Sequence, residues 1–263
     1  MEFTRDYFVH YYEADSSRRL TLPALVQYLE DIAIVHSSSV GLDLSYYRDN
    51  RCGWMLLKWD VEIRALPSFG DSVRVSTRVH AMKGFMADRE FALHAADGTE
   101  LARARSNWLL VDTERRRPMR VPQDQYERFG VSPESSSSFV TIADVAFPVR
   151  AARDGPPPSE GLSPSCEPSS RVRARHGDID TNRHVNNVRY LAWALDTLPG
   201  DFFDRMSPVG LRANYRKELA LDDEAEVFTS LSESTGSAES CHAIRNGVGD
   251  MCLIEINWKA ANV

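Results

Sequence analysis

The spacing of apolar residues predicts an amphipathic helix near the start of the chain and a second one in its last third. In the first segment the apolar positions are Leu22, Leu25, Val26, Leu29, Ile32 and Ala33. In the second segment they are Val188, Leu191, Ala192, Leu195 and Leu198. Because these steps of three and four residues match the 3.6-residue helical period, each set forms one stripe that can face a core.

Strand-like segments follow each predicted helix. Runs rich in Val, Leu and aromatic residues, with the turn sequences FGD and DGT between them, are typical of antiparallel strands. The runs after the first helix are WMLLKWDVEIRAL, DSVRVSTRVHAM, MADREFALHAA and ELARARSNWLLVD. The runs after the second helix are VGLRANYRKEL, EAEVFTSLSE, AESCHAIRN and DMCLIEINWKA. A helix followed by such a sheet is an α+β unit in which the sheet packs on the helix.

A segment dense in Pro, Ser and Gly, ARDGPPPSEGLSPSCEPSS at 152–170, separates the two helix-and-strand sets. This composition is typical of a linker, because it suits neither a helix nor a central strand. We therefore predict an N-terminal domain at residues 1–135, a linker region at 136–170 and a C-terminal domain at 171–263.

Three sequence blocks recur in the same order in the two domains, which indicates an internal duplication. Residues 13–32, 61–77 and 106–112 align with 178–198, 213–229 and 256–262. The alignment places Asp15 opposite Asp180 and puts the second helix one residue later than the first. We predict two tandem copies, each a long helix wrapped by a curved antiparallel sheet.

Polar side chains crowd the loop before the second helix, where Asp180, Asn182 and His184 occupy alternate positions. A helix cap, a metal loop and a catalytic group are the three possible interpretations. A calcium loop would need Gly and Glu where the chain has Arg183 and Arg189. The sequence also has no standard zinc-ligand spacing, nucleophile-elbow serine or nucleotide-binding glycine motif, so we expect neither a metal nor a cofactor.

A helix cap explains only part of this loop. Asn186 or Asn187 is suited to capping the helix, and that leaves the other polar groups without a role. The N-terminus of a helix supplies N–H donors that can polarise a carbonyl oxygen. His184 could position or protonate a substrate, and Glu218 from a neighbouring strand could activate water or attack directly. These roles suit acyl transfer to water.

The duplication helps to separate structural residues from chemical ones. The helix and strand pattern is common to both copies, whereas the polar group is not. The first copy has Ser17, Arg19 and Leu66 at the positions aligned with Asn182, His184 and Glu218. We therefore predict that the chemistry lies in the second copy and that the first copy is non-catalytic.

The bulk composition limits the possible partners. The chain is 43% hydrophobic and 26% charged, which is typical of a globular protein, and its net charge of -7 disfavours nucleic acid and anionic membrane surfaces. The first residues have no apolar signal-peptide region, and no apolar run is long enough to span a bilayer. The scattered cysteines Cys52, Cys166, Cys241 and Cys252 suggest free thiols in a reducing compartment, so we expect a cytoplasmic protein.

Over nearly its whole length the chain resembles the acyl-acyl carrier protein (acyl-ACP) thioesterases. DIDTNRHVNNVRYLAWALDTLP is similar to that family's Asp-x-Asn-x-His-Val-Asn-Asn signature and helix, and NYRKELALDD to the strand with its catalytic acid. GWMLLKWDVEIRALPSFGDSVRV and GTELARARSNWLLVDTERRRPMRVP are similar to its first-domain segments. The resemblance implies a double hotdog fold and a role in fatty acid biosynthesis. The enzyme would hydrolyse fatty acyl-ACP, release free fatty acid and end chain elongation.

By this resemblance Asp180, Asn182, His184 and Glu218 form the catalytic group. Asp180 would orient Asn182 or hold the network, and Asn182 with backbone amides near the helix start would bind the thioester oxygen. Glu218, assisted by His184, would act as base or nucleophile. Some members of the family have Cys directly after the glutamate, but this chain has Leu219, so no cysteine nucleophile is available there.

The resemblance also implies that the first domain holds the acyl chain and that the partner is acyl carrier protein with a phosphopantetheine-linked acyl group. The candidate lining residues are Trp54, Met55, Leu57, Leu29, Ala33 and Val35. The basic segment ERRRPMR, with Arg115, Arg116, Arg117 and Arg120, is either a solvated turn or a landing patch for the carrier or its phosphate. Arg171, Arg173 and Arg175 could serve the same end.

Three alternatives use the same residues differently. Hydrolysis of acyl-CoA would use the same site with another carrier. An acyl-binding module would have no need of the Glu218 carboxylate, and a hotdog dehydratase places its His and acid differently. Tandem copies could already form the pseudo-dimer that single hotdog proteins assemble from two chains, so we expect a monomer or a homodimer.

Overall fold

The computed structural model describes residues 1–148 and 167–261. These residues form two compact units, Met1–Ala143 and Asp144–Val263. Most of the proline- and serine-rich segment predicted as a linker, including Cys166, lies outside the described residues.

The first unit packs one long helix on an antiparallel sheet. Its elements are β1 (Phe3–Phe8), α1 (Leu22–Ser39), α2 (Leu44–Asp49), β2 (Cys52–Ile63), β3 (Ser72–Lys83), β4 (Met86–Ala95), β5 (Glu100–Asp112), β6 (Arg117–Pro118) and α3 (Gln123–Phe129). The strand order is β1-β3-β4-β5-β2, and the short β6 pairs with β5. Helix α1 packs on β1 and β3. The predicted apolar stripe of this helix is buried along its whole length.

The second unit repeats this plan. Its elements are β7 (Ser170–Arg173), α4 (Asn187–Leu195), α5 (Phe202–Arg205), β8 (Met206–Tyr215), β9 (Glu224–Ser234), β10 (Ser237–Asn246) and β11 (Gly249–Ala260). The strand order is β8-β11-β10-β9-β7, and α4 packs on β9, β10 and β11. Strand β7 therefore takes the place of β1, and β9, β10, β11 and β8 take the places of β3, β4, β5 and β2. The prediction of two tandem α+β copies is confirmed.

The strand register confirms the duplication residue by residue. In the first unit Thr77 pairs with Phe91, and Phe91 pairs with Ala104 on the next strand. In the second unit the corresponding residues across the sheet are Thr229, His242 and Ile254. The aligned stretches SNWLL (106–110) and INWKA (256–260) therefore occupy the same strand of the two sheets, β5 in the first and β11 in the second.

The positions at which the two helices start, by contrast, correct the sequence alignment. Thr21 caps α1 by accepting a hydrogen bond from the N–H of Ala24, and Asn186 caps α4 by accepting one from the N–H of Val188. Each cap follows its aligned aspartate, Asp15 or Asp180, at the same distance along the chain. The expected one-residue delay of the second helix is therefore wrong, because the caps fix where each helix starts.

The second helix is also half as long as the first. Helix α1 has 18 residues and α4 has 9, which corresponds to about 27 Å and about 14 Å of axial rise. The helix ends before Pro199–Gly200, because proline has no N–H to donate and disfavours a helical residue before it. Leu198 nevertheless remains buried beyond the helix end.

The start of the predicted linker region is bound to the outer face of the first sheet. Buried Asn107 donates to the carbonyl of Val140 and accepts from the N–H of Ile142, both at 2.9 Å. Lys58 donates to the Ile142 carbonyl at 2.7 Å, and Asp88 accepts from the Val140 N–H at 3.2 Å. Side chains of the sheet thus satisfy backbone groups that have no strand partner.

Hydrogen-bonded polar groups surround the buried side chain of His242 in the second unit. The Nδ1 atom of His242 lies 2.8 Å from the Thr229 hydroxyl, and its Nε2 atom lies 3.0 Å from the Ser240 hydroxyl. Trp258 also donates to Ser240 at 3.0 Å. Burial lowers the pKa of His242 to about 3. In the first unit the corresponding residue is Phe91, which packs on Trp59.

We expect the fold to lose stability as pH falls below about 6.5, the pKa of histidine in an unfolded chain. Because the folded pKa of His242 is lower, the unfolded state binds the proton first, and stability present above this pH is lost on acidification. Urea unfolding should show a loss of about 2 kcal/mol from His242 between pH 6.5 and 5.

The variants His242→Asn and His94→Gln test this assignment, since His94 is a partly exposed histidine on β4. The His242 variant should reduce the acid dependence of the free energy of unfolding and leave the part that comes from His36, whose pKa burial lowers to about 4. The His94 variant should leave the acid dependence unchanged. An equal acid dependence in wild type and His242→Asn would contradict the assignment.

Candidate active site

The loop before α4 is held by the carboxylate of Asp180. Its Oδ1 atom accepts hydrogen bonds from the backbone N–H of Asn182 at 2.8 Å and of His184 at 3.2 Å. The backbone N–H of Asp180 donates to the His184 carbonyl at 2.8 Å. Arg183 adopts a left-handed backbone with φ 66°, which lets the loop turn between these bonds. The backbone of His184 is therefore fixed at both its N–H and its carbonyl.

The first unit contains the same loop. Asp15 accepts from the N–H groups of Ser17 at 2.9 Å and Arg19 at 3.0 Å, and its own N–H donates to the Arg19 carbonyl at 2.8 Å. Arg18 has φ 62°, matching the left-handed residue of the second loop. Since both copies make these bonds, the aspartate belongs to the common frame and acts on the site through the backbone it holds.

A second carboxylate, Asp178, ties this loop to α4. Its Oδ2 atom accepts from the N–H of Arg175 at 2.8 Å, and its Oδ1 atom accepts from Nε of Arg189 at 2.6 Å. Its carbonyl accepts from the N–H of Asn186, the helix cap. The side chain is 8% exposed, so these partners replace solvent. Asp178 therefore fixes the direction in which the helix leaves the loop.

The loop and the strand end beyond β8 bring His184 and Glu218 together. His184 forms an isolated antiparallel bridge with Ala220, and the N–H of Val185 donates to the Leu219 carbonyl at 2.8 Å. As a result, Nε2 of His184 lies 3.2 Å from Oε2 of Glu218. The two side chains are 30% and 28% exposed, so water and a substrate can reach them.

Such a pair can move protons. The imidazole can donate its Nε2 proton to the carboxylate, and either group can exchange a proton with a water molecule or a leaving group beside it. The first unit has the same bridge between Arg19 and Ser68, but Leu66 stands where the second unit has Glu218. The shared loop thus carries an acid–base pair in the second unit only.

Asn182 lies at the exposed tip of the loop. Its Nδ2 atom is 3.5 Å from Oδ2 of Asp180, at the outer limit of a hydrogen bond. Within residues 1–148 and 167–261, no hydrogen bond joins its amide to His184 or Glu218. The structure therefore connects Asp180, His184 and Glu218 directly, and leaves the Asn182 amide available to a substrate.

The helix start adds a backbone donor. The Asn186 side chain accepts from the N–H of Val188, as the sequence predicted for one of two asparagines. The N–H of Asn187, the first helical residue, has no carbonyl one turn earlier within the helix. It can therefore donate to an oxygen placed beside the loop.

Sequence reasoning missed Tyr190. This buried residue of α4 accepts a hydrogen bond at 3.0 Å from the N–H of Leu219, the residue after Glu218. Burial raises the pKa of Tyr190, so the phenol stays neutral. With the helix offset corrected, Tyr190 stands opposite Leu25, and Leu219 stands opposite Pro67. The offset in the sequence alignment concealed this difference.

Of the six candidate acyl-chain residues, three lie on α1 and three lie on β2 of the first unit. Leu29 and Ala33 of α1 are buried, whereas Val35 is partly exposed. Trp54 packs against the core and donates to Gln125 Oε1 at 3.0 Å. Met55 points to the opposite face of β2, because successive side chains alternate. Leu57 lies at a register shift between Leu56 and Lys58.

The predicted basic segment forms one side of a surface cleft of about 590 Å³. Four arginines line this cleft, Arg51, Arg115, Arg117 and Arg120, together with the two carboxylates of Asp112 and Glu114. Arg116 lies at the turn between them with φ 50°. The predicted arginines are exposed, and the excess of positive groups makes the cleft attractive to an anion.

Two further findings limit the chemistry of the described residues. Within 1–148 and 167–261, no three His, Cys, Asp or Glu side chains are grouped so that they could hold a metal ion. The helices in these ranges are all too short or too polar to cross a membrane.

Comparison with known families agrees with the tandem arrangement of two related units. Residues 1–129 match the family model for the acyl-ACP thioesterase N-terminal domain, and residues 164–260 match that for the C-terminal domain. The chain belongs to the acyl-ACP thioesterase family. The predicted resemblance is thereby confirmed.

Curated acyl-ACP thioesterases match over most of the chain at low identity. A chloroplastic acyl-[acyl-carrier-protein] hydrolase of Cuphea viscosissima is 27% identical over 100% of this chain and 63% of its own length. A chloroplastic oleoyl-acyl carrier protein thioesterase of Arabidopsis thaliana is 24% identical over 90% of this chain and 66% of its own. The chain thus spans slightly less than two thirds of these relatives.

Solved structures share the fold. An acyl-ACP thioesterase from Bacteroides thetaiotaomicron superposes with a TM-score of 0.75 at 24% identity, covering 98% of both chains. The 12:0-ACP thioesterase from Umbellularia californica superposes with a TM-score of 0.78 at 21% identity, covering 99% of this chain and 98% of that one. The double hotdog fold expected from the sequence is confirmed.

The shared loop makes a prediction about stability. Asp15→Ala and Asp180→Ala should each cost about 1.5–3 kcal/mol, since each removes a charged acceptor from two backbone N–H groups. Urea unfolding of both variants checks this expectation. Asp204→Ala, which removes an exposed carboxylate of α5, is the control and should change the free energy of unfolding by less than about 0.5 kcal/mol. A costly Asp15 variant beside a neutral Asp180 variant would refute the shared frame.

Proposed function

We propose that this chain hydrolyses the thioester of fatty acyl groups carried on acyl carrier protein, which releases free fatty acid and ends chain elongation. The observation that carries the proposal is the 3.2 Å pair of His184 and Glu218, present in one copy of a loop that both copies share. Membership of the acyl-ACP thioesterase family supports the substrate class.

In the proposed reaction, the thioester carbonyl lies at the tip of the loop. The Asn182 amide and the N–H of Asn187 donate to the carbonyl oxygen and stabilise the negative charge that develops there. Asp180 holds the loop so that Asn182 and His184 keep their places. Preorganised donors of this kind need no rearrangement during the reaction.

Glu218 supplies the second half of the chemistry. Glu218 either removes a proton from the attacking water or attacks the carbonyl carbon itself. His184 stabilises the negative charge of the Glu218 carboxylate. When Glu218 activates water, the water oxygen bonds to the carbonyl carbon, the carbon–sulfur bond breaks, and the thiolate of phosphopantetheine takes up the proton that Glu218 removed. When Glu218 attacks instead, the thiolate leaves first, and water then cleaves the acyl–Glu218 anhydride, which releases the fatty acid and restores the carboxylate. Leu219 supports this assignment to the carboxylate, because no thiol follows Glu218 in the chain.

We further propose that the carrier protein docks through the arginine cleft of the first unit. Acyl carrier proteins are acidic, and a cleft with four arginines against two carboxylates favours an acidic surface or a phosphate. The acyl chain would be held among the candidate residues of α1 and β2. The buried free thiols of Cys52, Cys241 and Cys252 support a reducing compartment such as the cytoplasm.

Removing the carboxylate should slow turnover strongly without unfolding the protein. Glu218→Gln should lower kcat by about 10²–10⁴-fold, the usual contribution of a general base. The assay is release of free thiol from acyl-ACP. Leu66→Gln, at the same position of the first unit, is the matched control and should keep wild-type kcat.

A comparison of acyl-ACP with acyl-CoA as substrates decides between the hydrolase and the two remaining alternatives, an acyl-CoA thioesterase and an acyl-binding module. Faster thiol release from acyl-CoA than from acyl-ACP would assign the site to the CoA carrier. Tight binding of acyl-ACP by wild type with no thiol release would leave an acyl-binding module and refute the hydrolase.

Reversing charge in the arginine cleft should weaken carrier binding selectively. Arg115→Glu/Arg117→Glu should lower kcat/KM for acyl-ACP by about 10-fold or more at low salt, and less at high salt, because screening weakens the charge pairing. Hydrolysis of a short acyl-pantetheine thioester should not change. Arg5→Glu/Arg74→Glu, which changes two exposed arginines on β1 and β3 of the same unit, is the control. Equal losses in the two double variants would exclude the cleft.

A further inference from the structure

Three hydrogen bonds hold the strand end that carries Glu218. The Leu219 carbonyl accepts from the N–H of Val185 at 2.8 Å, and the N–H of Ala220 donates to Asp223 Oδ2 at 2.8 Å. The third hydrogen bond runs from the Leu219 N–H to the Tyr190 hydroxyl at 3.0 Å. This third bond connects the strand end to a side chain of α4.

The first unit makes the first two bonds and omits the third. The Pro67 carbonyl accepts from the N–H of Leu20 at 2.8 Å, and the N–H of Ser68 donates to Asp71 Oδ2 at 2.8 Å. At the third place, Pro67 has no N–H and Leu25 has no hydroxyl. Donor and acceptor are therefore both present in one copy and both absent in the other.

This comparison shows that the bend itself does not need the tyrosine. The corresponding strand end of the first unit forms with the bond from Leu20 to Pro67 and the bond from Ser68 to Asp71, and without a tyrosine at the aligned position. The bond is restricted to the copy in which the preceding residue is Glu218 and not Leu66. A hydrogen bond needed only for folding would be expected in both copies.

Tyr190 is itself rigidly placed. The residue is 2% exposed, and its ring lies against Trp193 at 5.5 Å and Tyr215 at 6.0 Å between centroids. It therefore connects a fixed point on α4 to the peptide that follows Glu218. The same helix begins directly after the loop that holds His184, so the bond sets one member of the pair relative to the other.

We propose that Tyr190 is a positioning residue, which holds the Glu218–Leu219 peptide so that the carboxylate stays within reach of His184. The inference rests on the proposed hydrolysis, and it names a residue that acts through Glu218 without touching the substrate. Its hydroxyl serves as a neutral acceptor for one backbone N–H.

The first test is the kinetics of Tyr190→Phe with acyl-ACP. A displaced catalytic group lowers the rate of the chemical step, so we expect kcat to fall by about 10- to 100-fold, and KM to stay within about twofold of wild type. Tyr28→Phe is the matched control. Tyr28 is a buried tyrosine of α1 whose hydroxyl donates to Glu13 at 2.6 Å, and its loss should affect melting temperature but not kcat.

A double variant separates positioning from stability. Tyr190→Phe/Leu219→Pro removes the unpaired N–H and reproduces the proline of the first unit. We expect it to recover part of the melting temperature lost in Tyr190→Phe, with kcat still low. A return of kcat to the wild-type value would overturn the proposal, as would an unchanged kcat in Tyr190→Phe alone.

A readout without turnover keeps this inference separate from the proposed function. The ¹⁵N resonance of His184 Nε2 reports contact with Glu218 and can be followed in any folded variant. Tyr190→Phe should move it toward its position in Glu218→Gln, and Tyr28→Phe should leave it in place. If wild type hydrolyses no thioester, this shift still decides whether Tyr190 positions the pair, and an unmoved resonance would overturn the proposal.

Discussion

An aspartate carboxylate that accepts two backbone N–H groups is the interaction on which both halves of this protein depend. Asp15 and Asp180 each close a short loop that contains an arginine with a left-handed backbone conformation. A capped helix follows each loop. Without that acceptor, two N–H groups of the loop would have no partner, and the residue that bridges to the neighbouring strand would be free to move. In the second unit that bridging residue is His184.

The duplication shows how one frame can serve two purposes. Both copies keep the aspartate, the helix cap and the bridge to a strand end, because these bonds satisfy backbone groups at any such bend. The second copy differs at the side chains that project from the frame, with His184 in place of Arg19 and Glu218 in place of Leu66. The two copies thus share the backbone frame and differ in the side chains that it holds.

The sequence predicted the features that repeat along the chain. The stripe of α1, with Leu25, Leu29 and Ile32, is buried, and the two strand sets have the same order. The predicted one-residue offset between the two helices was wrong. Two apolar stripes can be aligned almost equally well with a shift of one residue, whereas a helix cap identifies one position. The bond from Leu219 to Tyr190 joins residues far apart in sequence, and no local pattern reports it. Trp54 and Met55 are neighbours on β2 and therefore face opposite sides of the sheet, a difference that the family resemblance behind their selection did not report.

The most direct test of this account is to give the second loop the side chains of the first. The triple variant Asn182→Ser/His184→Arg/Glu218→Leu keeps Asp180 and the helix cap but removes the chemistry. Thiol release from acyl-ACP should then fall to the uncatalysed rate, while the far-ultraviolet circular dichroism spectrum matches that of wild type. Hydrolysis that persists in a folded triple variant would contradict the assignment of catalysis to this loop.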